Sequence, residues 1–168
     1  MSNTTTIFTT MPSPVGPLTL VGAGDDLIGL YFDGDTNGAP SADWVRDDRR
    51  LRPVVTQLKE YFAGQRTRFA LRLAPRGTTF QKAVWAALLR IPFGETTSYG
   101  DIARAIGKPA ASRAIGGANH RNPIAIVIPC HRVIGADGSL TGYGGGLDHK
   151  RLLLELESRV RSAGQQAA

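Results

Sequence analysis

The apolar residues of this 168-residue chain change their spacing at Pro75-Arg76-Gly77, and this change constrains the fold more than any other feature. Before that point, residues 18–21 and 27–32 are short apolar runs separated by a turn-rich segment, a pattern typical of paired strands. A helical spacing follows over 47–63, and residues 69–73 alternate as in a half-buried strand. The chain before the break therefore predicts a small α/β unit.

Helical spacing dominates after the break. Four helices are predicted. The first begins after a cap at Thr78 or Thr79, and the other three extend over residues 98–106, 110–118 and 148–161. The second and third are short and joined through Gly107-Lys108-Pro109, which is the outline of a helix-turn-helix. The Ala/Gly/Gln-rich tail at 163–168 is expected to fray.

A strand and a hairpin complete the second part of the chain. Residues 124–128 are all apolar and mostly β-branched, which predicts a buried strand. Asp137-Gly138 is a hairpin-turn signal between 133–134 and 140–141, which predicts a small wing.

The fold class is therefore predicted to be α/β. An N-terminal α/β domain with an antiparallel sheet, residues 1–76, precedes a mostly helical, winged helix-turn-helix-like domain, residues 77–168.

Composition excludes several classes of protein. No stretch has the eighteen or more apolar residues of a membrane-spanning helix, and the first residues lack a secretory signal, so we expect a cytoplasmic protein without a membrane partner. The single cysteine excludes an internal disulfide and a multi-cysteine zinc site. With three histidines beside it, we expect no metal.

The basic excess is concentrated in the second half. Residues 1–76 hold nine Lys/Arg and eight Asp/Glu, whereas residues 77–168 hold eleven and six, out of a net charge of +6. This asymmetry is compatible with a polyanion such as nucleic acid and equally with solubility alone.

The helix predicted over 110–118 is unusual in its small side chains. Only Ser112, Arg113 and Ile115 are larger than alanine, so it lacks the Asn, Gln and Lys side chains that usually read base edges. Small residues would let its backbone approach the walls of a narrow groove, with Arg113 protruding into a base stack. Close packing against another helix of the protein explains them as well.

Cys130 is the strongest candidate for chemistry, because the thiolate is a good nucleophile and His131 and Arg132 follow it directly. Neighbours on an extended chain point to opposite sides, so a Cys130–His131 interaction requires a turn or a bridging water. A cysteine beside a histidine is by itself a weak signal.

The last predicted helix supplies a third candidate. Glu157 shares a face with Leu153, Leu154 and Val160, and a carboxylate facing a core requires a partner. His131 is the expected partner, in a Glu–His–thiol relay. The alternative is that Glu157 reaches solvent at the helix end, as Glu155 on the opposite face is expected to do.

Several motifs together resemble one family. Residues 128–134, Ile-Pro-Cys-His-Arg-Val-Ile, are similar to the acceptor-cysteine motif of the O6-alkylguanine-DNA alkyltransferases, also called methylated-DNA–protein-cysteine methyltransferases. The similarity extends through Phe80–Trp85, Ile91–Tyr99, Arg113–Ala118, Asn122-Pro123, Gly142–Gly146 and Glu157. It covers residues 77–157 densely, and the first 75 residues fit only at the level of the fold.

The resemblance implies a role for each matching residue of the transfer site. Cys130 would accept the alkyl group, His131 would remove its proton through a water, and Glu157 would orient His131. Tyr99 would help to rotate the nucleotide out of the helix and protonate a guanine ring nitrogen, and Asn122 would brace the turn that carries the cysteine.

The resemblance also implies the groups that bind substrate. Arg113, between Ser112 and Ala114, would fill the gap left by the flipped guanine as the helix enters the minor groove. The carbonyls of Cys130 and Val133 would accept from the guanine amine. The backbone N–H of Gly144, next to Tyr143, would face O6.

These expectations describe a suicide DNA-repair protein that moves the alkyl group of O6-alkylguanine in duplex DNA irreversibly to Cys130. O6 lies inside the base pair, so the nucleotide has to leave the stack, and a thioether has no easy way back. No cofactor is expected. We expect a monomer, and leave open cooperation on DNA and activity on O4-alkylthymine.

Two departures limit what the resemblance implies. Gly144 stands where some members have a serine, so the range of alkyl groups is open, and the N-terminal cysteines that bind zinc in some members are absent.

Three other functions are compatible with parts of this sequence. A lesion-binding relative would lack the acceptor cysteine, a helix-turn-helix regulator would carry base-reading side chains on 110–118, and a cysteine hydrolase using the Gly142–Gly146 loop would turn over.

Overall fold

A computed structural model describes residues 4–167, which divide into two compact units. The first unit comprises the chain up to Arg76 together with Pro123–Ala125, and the second comprises Gly77–Asn122 and the chain from Ile126. The predicted α/β class, with an antiparallel-rich sheet followed by a helical part, is confirmed. The second passage into the first unit, by residues 123–125, was not predicted.

The first unit is built on a four-stranded sheet. Its strands are β1 (Thr6–Met11), β2 (Leu18–Ala23), β3 (Asp26–Phe32) and β4 (Val45–Arg46), in the order β3-β2-β1-β4. β1–β2 and β2–β3 are antiparallel, and β4 lies parallel to β1. Strands β2 and β3 were predicted from the sequence, whereas β1 and β4 were not. Leu18 and Leu20 of β2 are fully buried in its core.

Helix α1 (Arg52–Phe62) is shorter than the predicted 47–63. The start of the predicted helix instead extends the sheet, because the N–H of Asp47 donates to the carbonyl of Phe8 and continues the β4 pairing. The strand predicted over 69–73 is also wrong. That segment makes a single bridge, between Leu73 and Leu27, although its side chains do alternate between half-buried and exposed.

The second unit begins with helix α2 (Thr79–Leu88). Thr78 is its N-cap, and a reciprocal capping box with Gln81 satisfies two backbone donors of the first turn. Helices α3 (Tyr99–Ala105) and α4 (Ser112–His120) follow, and α4 packs against both α2 and α3. The buried Trp85 donates its indole N–H to the carbonyl of Ala118 at 2.9 Å, which fixes α4 on α2.

The predicted wing is absent in its expected form. Gly135 and Ser139 close a turn around Asp137-Gly138, but 140–141 form no strand. Strand β6 (Val133–Ile134) pairs instead in parallel with β5 (Thr97–Ser98). The turn signal was read correctly, and the partner of β6 comes from much earlier in the chain.

The last helix, α5, extends over Leu147–Ala167 and so is longer than the predicted 148–161. Its backbone continues through 163–167, where fraying was expected; residue 168 lies outside the described part. No helix within residues 4–167 combines the length and apolar character needed to cross a membrane.

Candidate functional site

The turn that carries Cys130 replaces the predicted strand at 124–128. Ile124 makes one bridge, residues 125–127 form turns, and Ile126 has a positive φ of 71°. All five residues are buried, so the apolar run indicates a buried segment and not an extended strand. The side-chain amide of Asn122 donates to the carbonyl of Ile128 at 2.8 Å across this turn. The chain then enters a single 3₁₀ turn, Cys130–Arg132.

A buried hydrogen-bonded cluster lies behind the cysteine. His131 Nε2 and Glu157 Oε2 are 2.7 Å apart, and both side chains are almost fully buried. The interaction fixes the imidazole with its proton on Nε2. Nδ1 is buried as well and has no protein hydrogen-bond partner within the described chain. The predicted Glu157–His131 contact is therefore present in the structure.

Arg132 also belongs to this cluster and was missed from the sequence. Its Nε donates to Glu157 Oε1 at 2.8 Å, its Nη2 donates to Glu157 Oε2 at 3.1 Å, and its Nη1 donates to the carbonyl of Ile91 at 2.7 Å. The guanidinium also lies 5.7 Å from the centre of the Phe93 ring. Arg132 lies within the cysteine motif, but its burial against Glu157 has no local sequence signal, because that partner lies on the last helix.

The charges of the cluster determine its protonation. Burial alone would raise the pKa of Glu157, but hydrogen bonds from His131 and Arg132 and the positive charge of Arg132 outweigh it and hold this pKa well below the ordinary value. Burial lowers the pKa of His131, against the opposing effect of Glu157. The resting cluster is therefore an ionised carboxylate, a guanidinium and a neutral imidazole.

Cys130 itself is 5% exposed. Burial raises the pKa of its thiol, while hydrogen bonds from Asn122 and Tyr143 and the positive charge of Lys150 act in the opposite direction. Burial disfavours the thiolate, and these three groups assist its formation.

Lys150 is a second residue of the site that was not predicted from the sequence. It is fully buried, and its ammonium donates to the carbonyls of Val133 at 2.6 Å and Thr141 at 2.8 Å. The hydroxyl of Tyr99 donates to the same Thr141 carbonyl at 3.2 Å. Tyr99 and Lys150 therefore meet at one backbone oxygen.

The backbone acceptors predicted for the guanine amine are already engaged. Lys150 occupies the Val133 carbonyl. The Cys130 carbonyl accepts from the side chain of Asn119 at 3.2 Å and from the N–H of Val133. A carbonyl has two lone pairs, so the Cys130 oxygen is saturated in this state.

The predicted DNA-contacting residues lie on an exposed face of α4. Ser112, Arg113 and Ala114 are exposed, and a Cβ built on Gly116 or Gly117 would meet no atom within 4 Å. Close packing inside the protein thus explains the small side chain at Ala118, which is buried against α2. It does not explain the two glycines. Gly144 lies near His120, at the other end of α4.

The structure thus brings Cys130, Asn122, Tyr143, His131 and Glu157 together. Tyr99 shares the Thr141 carbonyl with Lys150, whose charge acts on the Cys130 thiol. Arg113 and its neighbours form a separate, exposed surface. No group of three His, Cys, Asp or Glu side chains in residues 4–167 is arranged to hold a metal ion.

Comparisons with known proteins agree on one family. Residues 6–75 match the family model described as the 6-O-methylguanine DNA methyltransferase ribonuclease-like domain, and residues 79–159 match its DNA binding domain. The methylated-DNA–protein-cysteine methyltransferase of Mycobacterium tuberculosis is 55% identical over 150 residues, 89% of this chain and 91% of the relative. That of Methanosarcina barkeri is 54% identical over 146 residues, 86% and 92% of the two chains.

A solved structure agrees with these matches. The crystal structure of Mycobacterium tuberculosis OGT in complex with DNA superimposes with a TM-score of 0.87 at 53% identity, covering 92% of this chain and 94% of that one. Fold, site and similarity thus define a DNA-repair methyltransferase with a DNA-binding domain. The chain belongs to the methylated-DNA–protein-cysteine methyltransferases, which confirms the resemblance drawn from the sequence motifs.

Proposed function

We propose that this protein repairs O6-alkylguanine in duplex DNA by transferring the alkyl group irreversibly to Cys130, one lesion per molecule. The observation that carries the proposal is the buried His131, which directly follows the single cysteine of the sequence: Glu157 holds its Nε2 at 2.7 Å, and its Nδ1 has no hydrogen-bond partner within residues 4–167. A neutral imidazole with one bare nitrogen is a general base.

The transfer proceeds in one displacement. His131 takes the thiol proton through a bridging water, and Sγ attacks the alkyl carbon. The S–C bond forms as the C–O6 bond breaks, and the electron pair passes to the guanine ring. Tyr99 gives its hydroxyl proton to a ring nitrogen, which neutralises the leaving base. The product is a thioether, which no group of the site can cleave.

Other predicted residues shape the site around this step. Asn122 braces the turn through its bond to Ile128 and hydrogen-bonds the thiol, as Tyr143 does. The N–H of Gly144 faces O6, and the carbonyl of Val133, oriented by Lys150, accepts from the guanine amine. For the Cys130 carbonyl to do the same, Asn119 has to release it.

Access to the lesion requires the nucleotide to leave the helix. The exposed face of α4 supports this step, because its glycines leave the backbone open to close approach and Arg113 projects from it. We propose that this face enters the minor groove and that Arg113 takes the place of the flipped guanine. Unstacking costs a few kcal/mol, which the inserted side chain offsets in part.

The test is the intact mass of the protein after mixing with a duplex that bears one O6-methylguanine. We expect a stoichiometric gain of one methyl group, mapped to Cys130, with none from unmodified duplex and none in Cys130→Ser. Unchanged mass with tight binding to the lesion would make the protein a lesion sensor and sink the proposal. The same assay with O4-methylthymine measures whether that base is also a substrate.

A further inference from the structure

Arg132 makes more contacts with the relay than a bystander next to the cysteine would. Its guanidinium reaches both oxygens of Glu157 and, with its third nitrogen, the carbonyl of Ile91. His131 binds one of the same two carboxylate oxygens. The carboxylate is therefore held by three groups: the fork from Arg132, the imidazole of His131, and the backbone N–H of Gly94, which donates to Oε1 at 3.3 Å.

The two hydrogen bonds from Arg132 to Glu157 determine which ring nitrogen of His131 carries the proton. With both oxygens of Glu157 accepting from Arg132, the carboxylate cannot rotate away, and Oε2 stays 2.7 Å from Nε2. An ionised carboxylate only accepts hydrogen bonds, so Nε2 has to be the protonated nitrogen. Nδ1, the nitrogen without a protein partner, is then left as the acceptor.

The guanidinium also balances the charge of the carboxylate. Glu157, Arg132 and His131 are 1%, 7% and 0% exposed, so solvent screens none of them well. Glu157 and Arg132 together are neutral. Protonating His131 would add a second positive charge beside Arg132, with the buried Lys150 of α5 also acting on it and only Glu157 opposing.

We propose that Arg132 is a positioning residue for the transfer: by occupying both oxygens of Glu157 and balancing their charge, it holds His131 neutral, with its proton on Nε2 and a bare Nδ1. This inference rests on the proposed role of His131 as the base. Lysine could supply the charge but not the fork, because an ammonium is a point donor and a guanidinium is planar and bidentate.

The experiment is nitrogen NMR of protein labelled with ¹⁵N-histidine, titrated with pH and without any substrate. The His131 signals are assigned by their persistence in His120→Gln and His149→Gln. In the unchanged protein we expect the Nε2–H tautomer and no protonation across the neutral range. A wild-type His131 that is protonated at pH 7, or protonated on Nδ1, would overturn the inference without any variant.

Arg132→Met removes the charge and the fork while keeping an unbranched apolar side chain. We expect the midpoint of the His131 titration to rise by about one to three pH units, since a buried carboxylate that loses its cation recruits the imidazole proton. The low-pH limb of the single-turnover transfer rate should move with it. At pH values below the His131 midpoint, the transfer rate of the variant should be about tenfold lower than that of the wild type for each pH unit by which the midpoint has risen.

Arg132→Lys separates charge from geometry. We expect it to restore the His131 midpoint to near its wild-type value but not to restore the single tautomer, so transfer remains slower than in the wild type. Arg159→Gln, an exposed change on α5, is the matched control and should leave the titration unchanged.

If Arg132→Met folds and transfers slowly while His131 keeps its tautomer and midpoint, Arg132 only packs and the inference is wrong. A wild-type protein that shows the expected His131 signals but gains no methyl group contradicts the proposed function instead. The two failures are therefore distinguishable.

Discussion

Two regions of the second unit are built in opposite ways. The buried relay of Arg132, His131 and Glu157 satisfies almost every polar atom and excludes solvent. The open face of α4, comprising residues 112–114, 116 and 117, has little side-chain volume, and its glycines have no neighbour within 4 Å of a built Cβ. One region is closed and hydrogen-bonded internally, and the other leaves its backbone open to close approach.

This difference separates stability from recognition. A substitution in the relay removes hydrogen bonds between charged groups that are shielded from water, so it lowers the free energy of unfolding and impairs chemistry together. A substitution on the open face of α4 removes no internal contact, so it should not lower the free energy of unfolding, and any loss of function should be confined to DNA. The predictions below test whether the two regions divide in this way.

The largest effect is expected for Glu157→Ala. It leaves the guanidinium of Arg132 and the imidazole of His131 buried without their carboxylate, so the free energy of unfolding should fall by about 3–5 kcal/mol. Transfer to Cys130 should be lost as well. Urea unfolding and the mass assay measure the two effects.

The matched control is Glu155→Ala, two residues earlier on α5. Glu155 is exposed, so its loss should change the free energy of unfolding by less than about 0.5 kcal/mol. Equal destabilisation by both variants would mean that the buried cluster contributes nothing special and would break the comparison.

The relay was only partly predictable from the sequence. Glu157 was placed correctly, because helix periodicity assigns it to the apolar face. Arg132 and Lys150 were missed, since a lone Arg or Lys is normally exposed and their acceptors lie elsewhere in the chain: Ile91 and Glu157 for Arg132, Val133 and Thr141 for Lys150.

The fold shows the same division between local and long-range information. Helix α2 has its capping box in its own sequence, and its start was predicted to within a residue. Residues 124–128 look like a strand because they are apolar and β-branched, but their burial is achieved in turns, and the positive φ of Ile126 has no local signal. The pairing of β6 with β5 joins segments that are more than thirty residues apart, which no hairpin signal can reveal.

The next effect in size is expected for Arg113→Ala. Its side chain is exposed and no hydrogen bond within the described residues uses it, so stability should be unchanged. Transfer from a duplex should slow about tenfold or more, equivalent to at least about 1.4 kcal/mol, because the gap left by the flipped nucleotide is no longer filled.

Reaction with O6-methylguanine as a free base needs no flipping, so Arg113→Ala should perform it at the wild-type rate. Equal losses on the duplex and on the free base would remove Arg113 from the flipping step and would assign it to the transfer site instead.

The smallest and sharpest test is a pair of substitutions at Gly117, in the interior of α4. Glycine in a helix interior costs roughly 0.5–1 kcal/mol relative to alanine, and the built Cβ meets nothing, so Gly117→Ala should raise the free energy of unfolding by about that amount. Gly117→Leu keeps most of that gain, because leucine is also a good helix former, but adds a bulky side chain to the open face.

If the α4 backbone enters a groove, Gly117→Leu should be more stable than the wild type and yet bind and repair duplex DNA more weakly. Its reaction with the free base should be unchanged. Gel-shift affinity and single-turnover transfer measure this. Wild-type duplex repair by Gly117→Leu would show that α4 does not approach DNA closely. The glycines would then cost stability without serving recognition, and the contrast between the buried relay and the open face would lose its functional meaning.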